Sequence, residues 1–429
     1  MAGVSNSTTV NEMLSAAKWV TKNGKKYCYN TDGTVYSKTG LQKIDGKYYY
    51  FDKDHSVARS AWRTADGKRY FFRASGERYE NPGLHKLTVN GAEKYYFFNN
   101  DFSAATSSWR TISGKKYFFR ASGERYEETG LHKLTVNGAE KYYFFNNNYS
   151  AAVSAWKTVN GKRYFFRASG ERYEETGLRT LTVNGVKSKY FFTAGHYAAV
   201  SCWKTVGSAK YYFGSNGKAV TGLKKIGTTW YYFKASGVMA TGDVTVNNVT
   251  YYLNKKDQVE AYKKGSTYYK PSGTKMTSME RDDYVTLRRA RAVVRKITTS
   301  SMTKSQKLKK CFDWVMAFPY KRHRYFPTTN LAWASLYAND HFVRKSGDCH
   351  ADAAALAYLA RALGYTDVYV CLDAKLSNPG HHAWTKINGL NYDPLFAQAK
   401  NYSKYYGNKS YELNAIVKER VGRGYLGDA

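Results

Sequence analysis

A repeat of 47 residues dominates the first part of the chain and restricts what that part can fold into. A tryptophan recurs at this interval, at Trp62, Trp109, Trp156 and Trp203. The amino-acid sequence between them is almost the same from one unit to the next. Repeats of this length are typical of arrays in which each unit packs mainly against its neighbours. We therefore predict an array of small units here, in place of a single globular core.

Each unit contains short aromatic runs separated by turn-forming dipeptides. Tyr70–Phe72 and Tyr95–Phe98 are two such runs, and an Asn-Gly pair at residues 90–91 lies between them. Such runs predict β-hairpins, and a lone hairpin is marginal in water unless neighbours cover its aromatic face. The predicted fold is therefore an elongated β-solenoid of stacked hairpins over residues 24–275.

Composition excludes several classes of protein. Aromatic residues make up 17% of the 429 residues, which argues against a disordered chain. No run approaches the roughly 18 apolar residues that a membrane helix needs, so no transmembrane segment is predicted. The five cysteines are too few and too scattered for a disulfide framework. Cys202 stands where the other repeats have Ala or Ser, and Cys311 lies on an apolar helical stripe, so both are predicted to be packing residues.

The stretch from Thr221 to Gly242 resembles a cell-wall or choline-binding repeat, the type also found in glucan-binding proteins. The resemblance implies that aromatic side chains of consecutive hairpins form cages for choline or a sugar, because ring faces attract cations and stack on sugar rings. Most repeats have Tyr or Lys where the choline-binding version has Trp, which leaves open whether choline is bound. The predicted partner is a bacterial cell-wall polymer or glycan. The candidate ligand-binding residues, which otherwise only pack the solenoid, are Trp62, Trp109, Trp156, Trp203 and Trp230.

The net charge of +34 is spread over both parts of the chain. It favours polyanionic surroundings such as nucleic acid, a teichoic-acid-rich wall or acidic glycans, or it only keeps the surface soluble. No recognition helix, RNP-type strand or zinc module occurs in the sequence, so no specific nucleic-acid partner is predicted.

From about Thr277 the aromatic runs give way to helical periodicity. Leu287, Ala290, Val294 and Ile297 share one face of a predicted helix. The predicted regions are residues 1–23, an N-terminal segment that is partly linker or vector-derived, residues 24–275, the hairpin repeats, and residues 276–429, a catalytic α+β domain. No secretory signal opens the chain, a pattern shared by an exported protein whose signal has been removed and by a cytoplasmic protein.

Cys349 is the candidate nucleophile. It precedes an alanine-rich run that predicts a strong helix ending before Gly364. A thiol in the first turn of a helix lies near unpaired backbone N–H groups and the positive end of the helix dipole. We therefore expect a lowered pKa for this thiol and backbone N–H groups that can hold an oxyanion.

A hairpin pattern brings a histidine and a carboxylate together. If the Asn-Gly pair at residues 388–389 forms the turn between two alternating runs, Trp384 faces Asp393 across the hairpin. His382 then lies on the same face, diagonal to Asp393, and His381 points to the other face. The hairpin arithmetic thus selects His382 over its neighbour.

Cys349, His382 and Asp393 together supply a nucleophile, a base and an orienting carboxylate. The alternative is a buried structural cysteine near an unrelated hairpin. The same residues resemble the transglutaminase-like superfamily, whose pattern is Gly-x-Cys, an alanine-rich helix ending in Leu-Gly, then His-Ala-Trp and Asp-Pro. The resemblance covers residues 280–400 and implies a papain-like α+β core with these three residues as the catalytic set.

Two tryptophans near these motifs, Trp333 and Trp384, are candidates for the oxyanion or acyl pocket, or are core aromatics. No cofactor and no metal are predicted. No Asp/Asn-rich loop with calcium spacing occurs, and Cys349 with its neighbour His350 lacks partners at zinc-ligand spacing.

The resulting interpretation is an extracellular, cell-wall-associated cysteine enzyme. Its thiolate attacks a peptide or protein amide and forms a thioester, which an amine or water then resolves. The repeats hold it on wall polymer or glycan. The alternative is a surface adhesin or glycan-binding protein whose transglutaminase-like domain keeps the fold without activity, and a reactive Cys349 separates the two.

Overall fold

The computed structural model describes residues 18–326, 333–375 and 380–422, so most of the predicted segment 1–23 lies outside the described residues. The chain forms two compact units, Met1–Val220 and Thr221–Ala429. The second unit therefore contains the last hairpins together with the helices that follow them.

The first unit consists of antiparallel β-hairpins, in which each odd-numbered strand pairs with the next strand. The strands are β1 (Lys18–Lys22), β2 (Lys25–Tyr29), β3 (Gly40–Ile44), β4 (Lys47–Phe51), β5 (Ala61–Ala65), β6 (Lys68–Phe72), β7 (Gly83–Val89), β8 (Ala92–Phe98), β9 (Ser108–Ile112), β10 (Lys115–Phe119), β11 (Gly130–Val136), β12 (Ala139–Phe145), β13 (Ala155–Val159), β14 (Lys162–Phe166), β15 (Gly177–Val183), β16 (Val186–Phe192), β17 (Cys202–Val206) and β18 (Ala209–Phe213).

The turns have the backbone conformation that the Asn-Gly dipeptides predict. Between β7 and β8, Asn90 has φ 50° and Gly91 has φ 77°, and Val89 pairs with Ala92. Two successive positive φ values define the two-residue turn whose twist matches that of the flanking strands. The turn fixes the register, which directs alternate side chains of β8 inwards, and Phe98 is fully buried.

Aromatic rings form the core that consecutive hairpins share. Phe72, Phe119 and Phe166 occupy corresponding positions in the repeats and are fully buried. Each of them meets an aromatic ring of the preceding hairpin with 6.0 Å between ring centroids. Each unit therefore depends on its neighbour to cover its aromatic face.

The second unit begins with hairpins and ends in helices and a five-stranded sheet. Its elements are β19 (Gly222–Ile226), β20 (Thr229–Phe233), β21 (Val244–Val246), β22 (Val249–Leu253), β23 (Val259–Lys264), β24 (Thr267–Tyr269), α1 (Ser278–Ile297), α2 (Lys304–Met316), α3 (Trp333–Asn339), a π-helical turn (Asp340–Arg344), α4 (Cys349–Ala362), β25 (Val368–Leu372), β26 (Ala383–Ile387), β27 (Leu390–Tyr392), α5 (Pro394–Ala399), α6 (Tyr402–Tyr405), β28 (Tyr406–Asn408) and β29 (Val417–Arg420).

Helix α4 forms the centre of the second unit. Its residues are buried from Cys349 to Ala360, and the hydroxyl of Thr385 in β26 donates to the carbonyl of Ala353 at 2.8 Å. The small alanine side chains allow the sheet, ordered β28-β27-β26-β25-β29, to pack closely on the helix. This packing holds the start of α4 against the start of β26, where the candidate site lies.

Repeated β-hairpins followed by a domain of helices and a sheet confirm the predicted fold class. In the part of the chain that the structure describes, no helix is both long and apolar enough to cross a membrane.

Candidate active site

Cys349 is the first residue of α4. Asp348 caps the helix, because its Oδ1 accepts hydrogen bonds from the backbone N–H groups of His350 at 3.1 Å and Ala351 at 3.2 Å. The Cys349 residue is only 7% exposed, and its sulfur accepts a hydrogen bond from the backbone N–H of Ala383. The thiol therefore lies beside the first residue of β26, immediately after His382.

The electrostatics around the thiol differ from the sequence-based expectation. Burial raises the pKa of the Cys349 thiol to about 12, and the nearby Asp348 carboxylate adds to the rise, while the N–H of Ala383 opposes it. The expected lowering of the thiol pKa is therefore wrong for the resting state. The expected oxyanion donors are also partly occupied, because the N–H groups of His350 and Ala351 bind the capping carboxylate.

His382 and Asp393 meet as the hairpin pattern predicts. Ile387 pairs with Leu390 around the turn, which is the predicted register. Nε2 of His382 lies 2.6 Å from Oδ2 of Asp393, whose side chain is fully buried. The His382 ring also stacks on Phe396 with 4.2 Å between centroids and an interplanar angle of 11°. The imidazole is thus fixed by a hydrogen bond at one edge and by a ring on one face.

Asp393 is itself held in place by two further donors. Its Oδ1 accepts from the backbone N–H of Phe396 at 3.0 Å, because Asp393 caps helix α5. Its Oδ2 also accepts from the hydroxyl of Tyr411 at 2.5 Å. Burial and the Asp393 charge hold the pKa of Tyr411 far above its usual range, so this hydroxyl stays protonated and donates. The sequence offered no motif for Tyr411, which follows the recognisable patterns.

A pair of histidines, His350 and His381, lies next to Cys349. His350 has Nδ1 at 3.6 Å from the Cys349 sulfur, and its Nε2 lies 2.7 Å from Nδ1 of His381. Burial lowers the pKa of His381, and the neighbouring His350 adds to this effect. His381 thus turns to His350 while His382 turns to Asp393, as the alternation of faces predicts. His350 itself was not selected from the sequence, because nothing in a helix pattern shows that its ring reaches His381.

The two candidate pocket tryptophans are both buried. Trp333 packs edge-to-face against Phe326, with 4.9 Å between ring centroids. Trp384 donates its Nε1–H to Oδ1 of Asn391 at 3.0 Å and packs against Tyr411. The indole N–H of Trp384 is therefore occupied by the protein, and this ring supports the residue that orients Asp393.

The repeat tryptophans lie in aromatic clusters. Trp62, Trp109 and Trp156 are half-buried and stack on a phenylalanine of the following hairpin. Trp203 is 38% exposed, and Trp230 is half-buried against Tyr232 and neighbouring apolar residues. Ligand binding by these five tryptophans stays a prediction. Within the described residues, no group of three or more His, Cys, Asp or Glu side chains is arranged to hold a metal ion.

The repeats match known families in five segments. Residues 38–81 and 220–259 match the family Choline-binding repeat, and residues 107–124, 154–171 and 203–219 match the Putative cell wall binding repeat. Repeats of these families imply cell-wall association.

Several solved structures with similar hairpins come from Streptococcus pneumoniae. CbpJ is 22% identical over 60% of this chain and 99% of its own, with a TM-score of 0.38. Choline binding protein F is 22% identical over 61% of this chain and 99% of its own, with a TM-score of 0.40. The modular autolysin LytC is 15% identical over 76% of this chain and 84% of its own, with a TM-score of 0.35. No curated protein sequence matches this chain.

The candidate site lies in a different family match. Residues 291–393 match the Transglutaminase-like superfamily, a range that ends at Asp393 and includes Cys349 and His382. The chain therefore carries choline-binding repeats followed by a transglutaminase-like domain, which confirms the resemblance that its motifs predicted.

Proposed function

We propose that this chain is a cell-wall-associated cysteine enzyme that attacks a carboxamide of a peptide or protein through Cys349 and passes through a thioester. The observation that supports this most strongly is the 2.6 Å hydrogen bond between His382 and Asp393, beside a thiol that binds the N–H of Ala383. A nucleophile, a base and an orienting carboxylate then come from three elements that the core holds together.

The hydrogen bonds of His382 indicate the route of the thiol proton. Asp393 holds the hydrogen on Nε2 of His382, which leaves Nδ1 to accept a proton. Because burial keeps the Cys349 thiol protonated at rest, this proton passes to Nδ1 as the sulfur bonds to the carboxamide carbon. His382 then gives the proton to the departing nitrogen. Ammonia or an amine leaves, and the acyl group remains on the sulfur as a thioester.

The second half of the reaction repeats these steps in reverse. An amine or a water molecule gives a proton to Nδ1 of His382 and attacks the thioester carbon. The carbon–sulfur bond breaks, the sulfur recovers its proton, and the product is a new amide or a carboxylic acid. Access of water to the thioester decides between transfer and hydrolysis.

The repeats, proposed to span residues 24–275, hold the catalytic region, proposed to span residues 276–429, on wall polymer or glycan. The two repeat families that the chain matches support this attachment. An exported location follows from it, because the wall polymer lies outside the cell.

The activity is tested with the full chain, a glutamine-containing peptide and a dansylated primary amine, with mass spectrometry of the peptide. We expect amine incorporation or conversion of the carboxamide to a carboxylate, and a loss of about 10³-fold or more in Cys349→Ser. Cys202→Ser is the matched control, because this half-buried thiol lies in the array. A folded wild-type chain that forms neither product would favour the non-catalytic adhesin.

Attachment is tested separately by sedimentation with purified bacterial wall. Cys349→Ala is expected to sediment like the wild type, because the nucleophile takes no part in attachment. Absence of both proteins from the wall pellet would remove the anchoring role and leave the catalytic proposal untouched.

A further inference from the structure

Three arginines of the array occupy equivalent buried positions. Arg78, Arg125 and Arg172 are 47 residues apart. Each follows the second strand of its hairpin and forms an isolated β-bridge with the last phenylalanine of that strand. Their side chains are only 9%, 11% and 11% exposed. A guanidinium buried to this extent needs partners that replace water.

Aromatic rings of consecutive hairpins surround each guanidinium. The Cζ atom of Arg78 lies 4.0 Å from the ring centroid of Tyr48 in β4, 5.3 Å from Tyr70 in β6 and 5.2 Å from Phe102, which follows β8. All three rings are within the distance at which a ring face attracts a cation. The set is an aromatic cage with a cation inside it.

The same cage recurs one repeat later. The Cζ atom of Arg125 lies 4.1 Å from Tyr95, 5.6 Å from Tyr117 and 5.4 Å from Tyr149, measured to the ring centroids. In the third repeat Arg172 keeps two of the rings, at 4.1 and 5.4 Å. The recurrence shows that the repeat sequence itself specifies this arrangement.

A carboxylate completes each site. Glu80, Glu127 and Glu174, each two residues after the arginine, bind the guanidinium groups at 2.6, 2.6 and 2.8 Å. A charge-assisted hydrogen bond fixes the N–H edge of the guanidinium, while the aromatic rings pack around it.

Neighbouring hairpins have uncharged residues at the corresponding bridge. Val57 and Ala104 form it in the hairpins on either side of Arg78, and Met239 forms it in hairpin β19–β20. The bridge therefore does not need an arginine for its backbone geometry. The arginine has a role of its own, which is to fill the cage.

We propose that these three cages are closed to choline and other quaternary ammonium ligands, because the protein's own arginines occupy them, and that removing an arginine opens an ammonium site. Aromatic cages bind quaternary ammonium groups through the same ring faces that hold Arg78, Arg125 and Arg172. A tethered cation is always present at the cage, so free choline must displace it and separate it from its glutamate. At these three positions the array then does not hold the wall through choline. The proposal is independent of the catalytic role of Cys349.

The test compares choline binding to the full chain and to Arg125→Ala by NMR. In the wild type, we expect no contacts between the choline N-methyl protons and the rings of Tyr95, Tyr117 or Tyr149. Arg125→Ala is expected to gain one choline site that shows these contacts, with Glu127 left to balance the ligand charge. The matched control is Arg59→Ala, an exposed array arginine that donates to the carbonyl of Ala74, and it is expected to gain no site.

Two further variants keep the test decisive if the alanine variant fails to fold. Arg125→Met introduces the side chain that Met239 has at the corresponding bridge, removes the charge and is expected to gain choline contacts. Arg125→Lys keeps a cation and is expected to stay closed. Choline contacts to Tyr95 in the wild type, or a folded Arg125→Met chain without them, would overturn the proposal.

Discussion

The repeat array and the transglutaminase-like domain bring their key residues together in different ways. In the array, one short pattern places an arginine against two tyrosine rings three times, at Arg78, Arg125 and Arg172. In the domain, Cys349 comes from the start of α4 and His382 from the residue before β26, so their meeting depends on the packed core. The array therefore repeats the same local contacts, whereas the residues of the candidate site meet at one place in the described structure.

This difference determines what a single substitution can do. A residue lost from one repeat weakens that unit and its neighbours, because contacts in an array are mainly between adjacent units. A residue lost from the site has no second copy. The predictions below compare the two cases, beginning with the largest effect.

The sharpest test of the site is the choice between two adjacent histidines. His382→Ala is expected to lower kcat/KM by about 10³- to 10⁴-fold, because it removes the proposed base, which is hydrogen-bonded to Asp393. His381→Ala is expected to cost less than about tenfold, because this ring contacts His350 and does not reach Asp393. Steady-state kinetics on a peptide amide measures both.

His350→Gln is the matched control for this pair, because it removes the imidazole that lies 3.6 Å from the sulfur and keeps a polar side chain. We expect a loss closer to that of His381→Ala. The reverse ranking, with His382→Ala nearly active, would assign the base to the His350–His381 pair.

The corresponding test of the array removes one core ring. Phe119→Ala is expected to lower the free energy of unfolding of the array by about 3–5 kcal/mol, because Phe119 is fully buried and packs on Phe97 of the preceding hairpin. Activity on a soluble peptide is expected to stay near that of the wild type. Thermal unfolding and the peptide assay together measure this.

Phe97→Leu is the milder comparison, because it keeps an apolar side chain in contact with Phe119. A large loss of peptide activity in Phe119→Ala would contradict the independence of array and site.

Local patterns predicted most of the elements that position the site. The Thr-x-x-Gln pattern at Thr303 and Gln306 forms a capping box at the start of α2. Helix α4 ends at Ala362, before Gly364, which has φ 82°. The turn at residues 388–389 sets the register that brings His382 to Asp393. Each of these features depends on residues that are close in sequence. The geometry of such local features follows from residue type and spacing, so the sequence alone predicts them.

The parts that could not be predicted depend on contacts between distant residues. The thiol pKa rises because the domain buries Cys349, and no helix pattern shows how deep a first-turn residue lies. Tyr411 reaches Asp393 from a segment without a recognisable motif. The cage around Arg125 is built from three hairpins. The repeated sequence shows that the arginine and the tyrosines recur, but it does not show that the arginine side chain lies among the rings.

The charge of the helix cap offers a smaller effect on the thiol. Asp348→Asn keeps a capping side chain but removes the negative charge that helps to raise the pKa of Cys349. A lower thiol pKa gives more thiolate at a fixed pH, so we expect alkylation at pH 8 to be faster by about tenfold. Iodoacetamide labelling followed by mass spectrometry measures the rate at each cysteine.

In the wild type, labelling of Cys349 is expected to rise continuously from pH 8 towards the thiol pKa of about 12. The curve of Asp348→Asn is displaced to lower pH. Labelling of Cys202, in the array, is the internal control and should be the same in both proteins. Fast labelling of wild-type Cys349 below pH 8 would contradict a protonated resting thiol.

The smallest effect is expected at Tyr411, and it tests how far the site extends beyond the three residues of its motif. Tyr411→Phe removes the hydroxyl that donates to Asp393 but keeps the ring that packs on Trp384. Asp393 retains its bonds from His382 and the N–H of Phe396, so one hydrogen bond of about 1 kcal/mol is lost. We expect kcat to fall about fivefold with KM unchanged, because the tyrosine acts through Asp393 and does not touch substrate. A rise in KM at constant kcat would place Tyr411 in substrate binding instead. An unchanged kcat would mean that the His382 and Phe396 bonds alone fix the carboxylate, and the site would then be as local as a hairpin of the array.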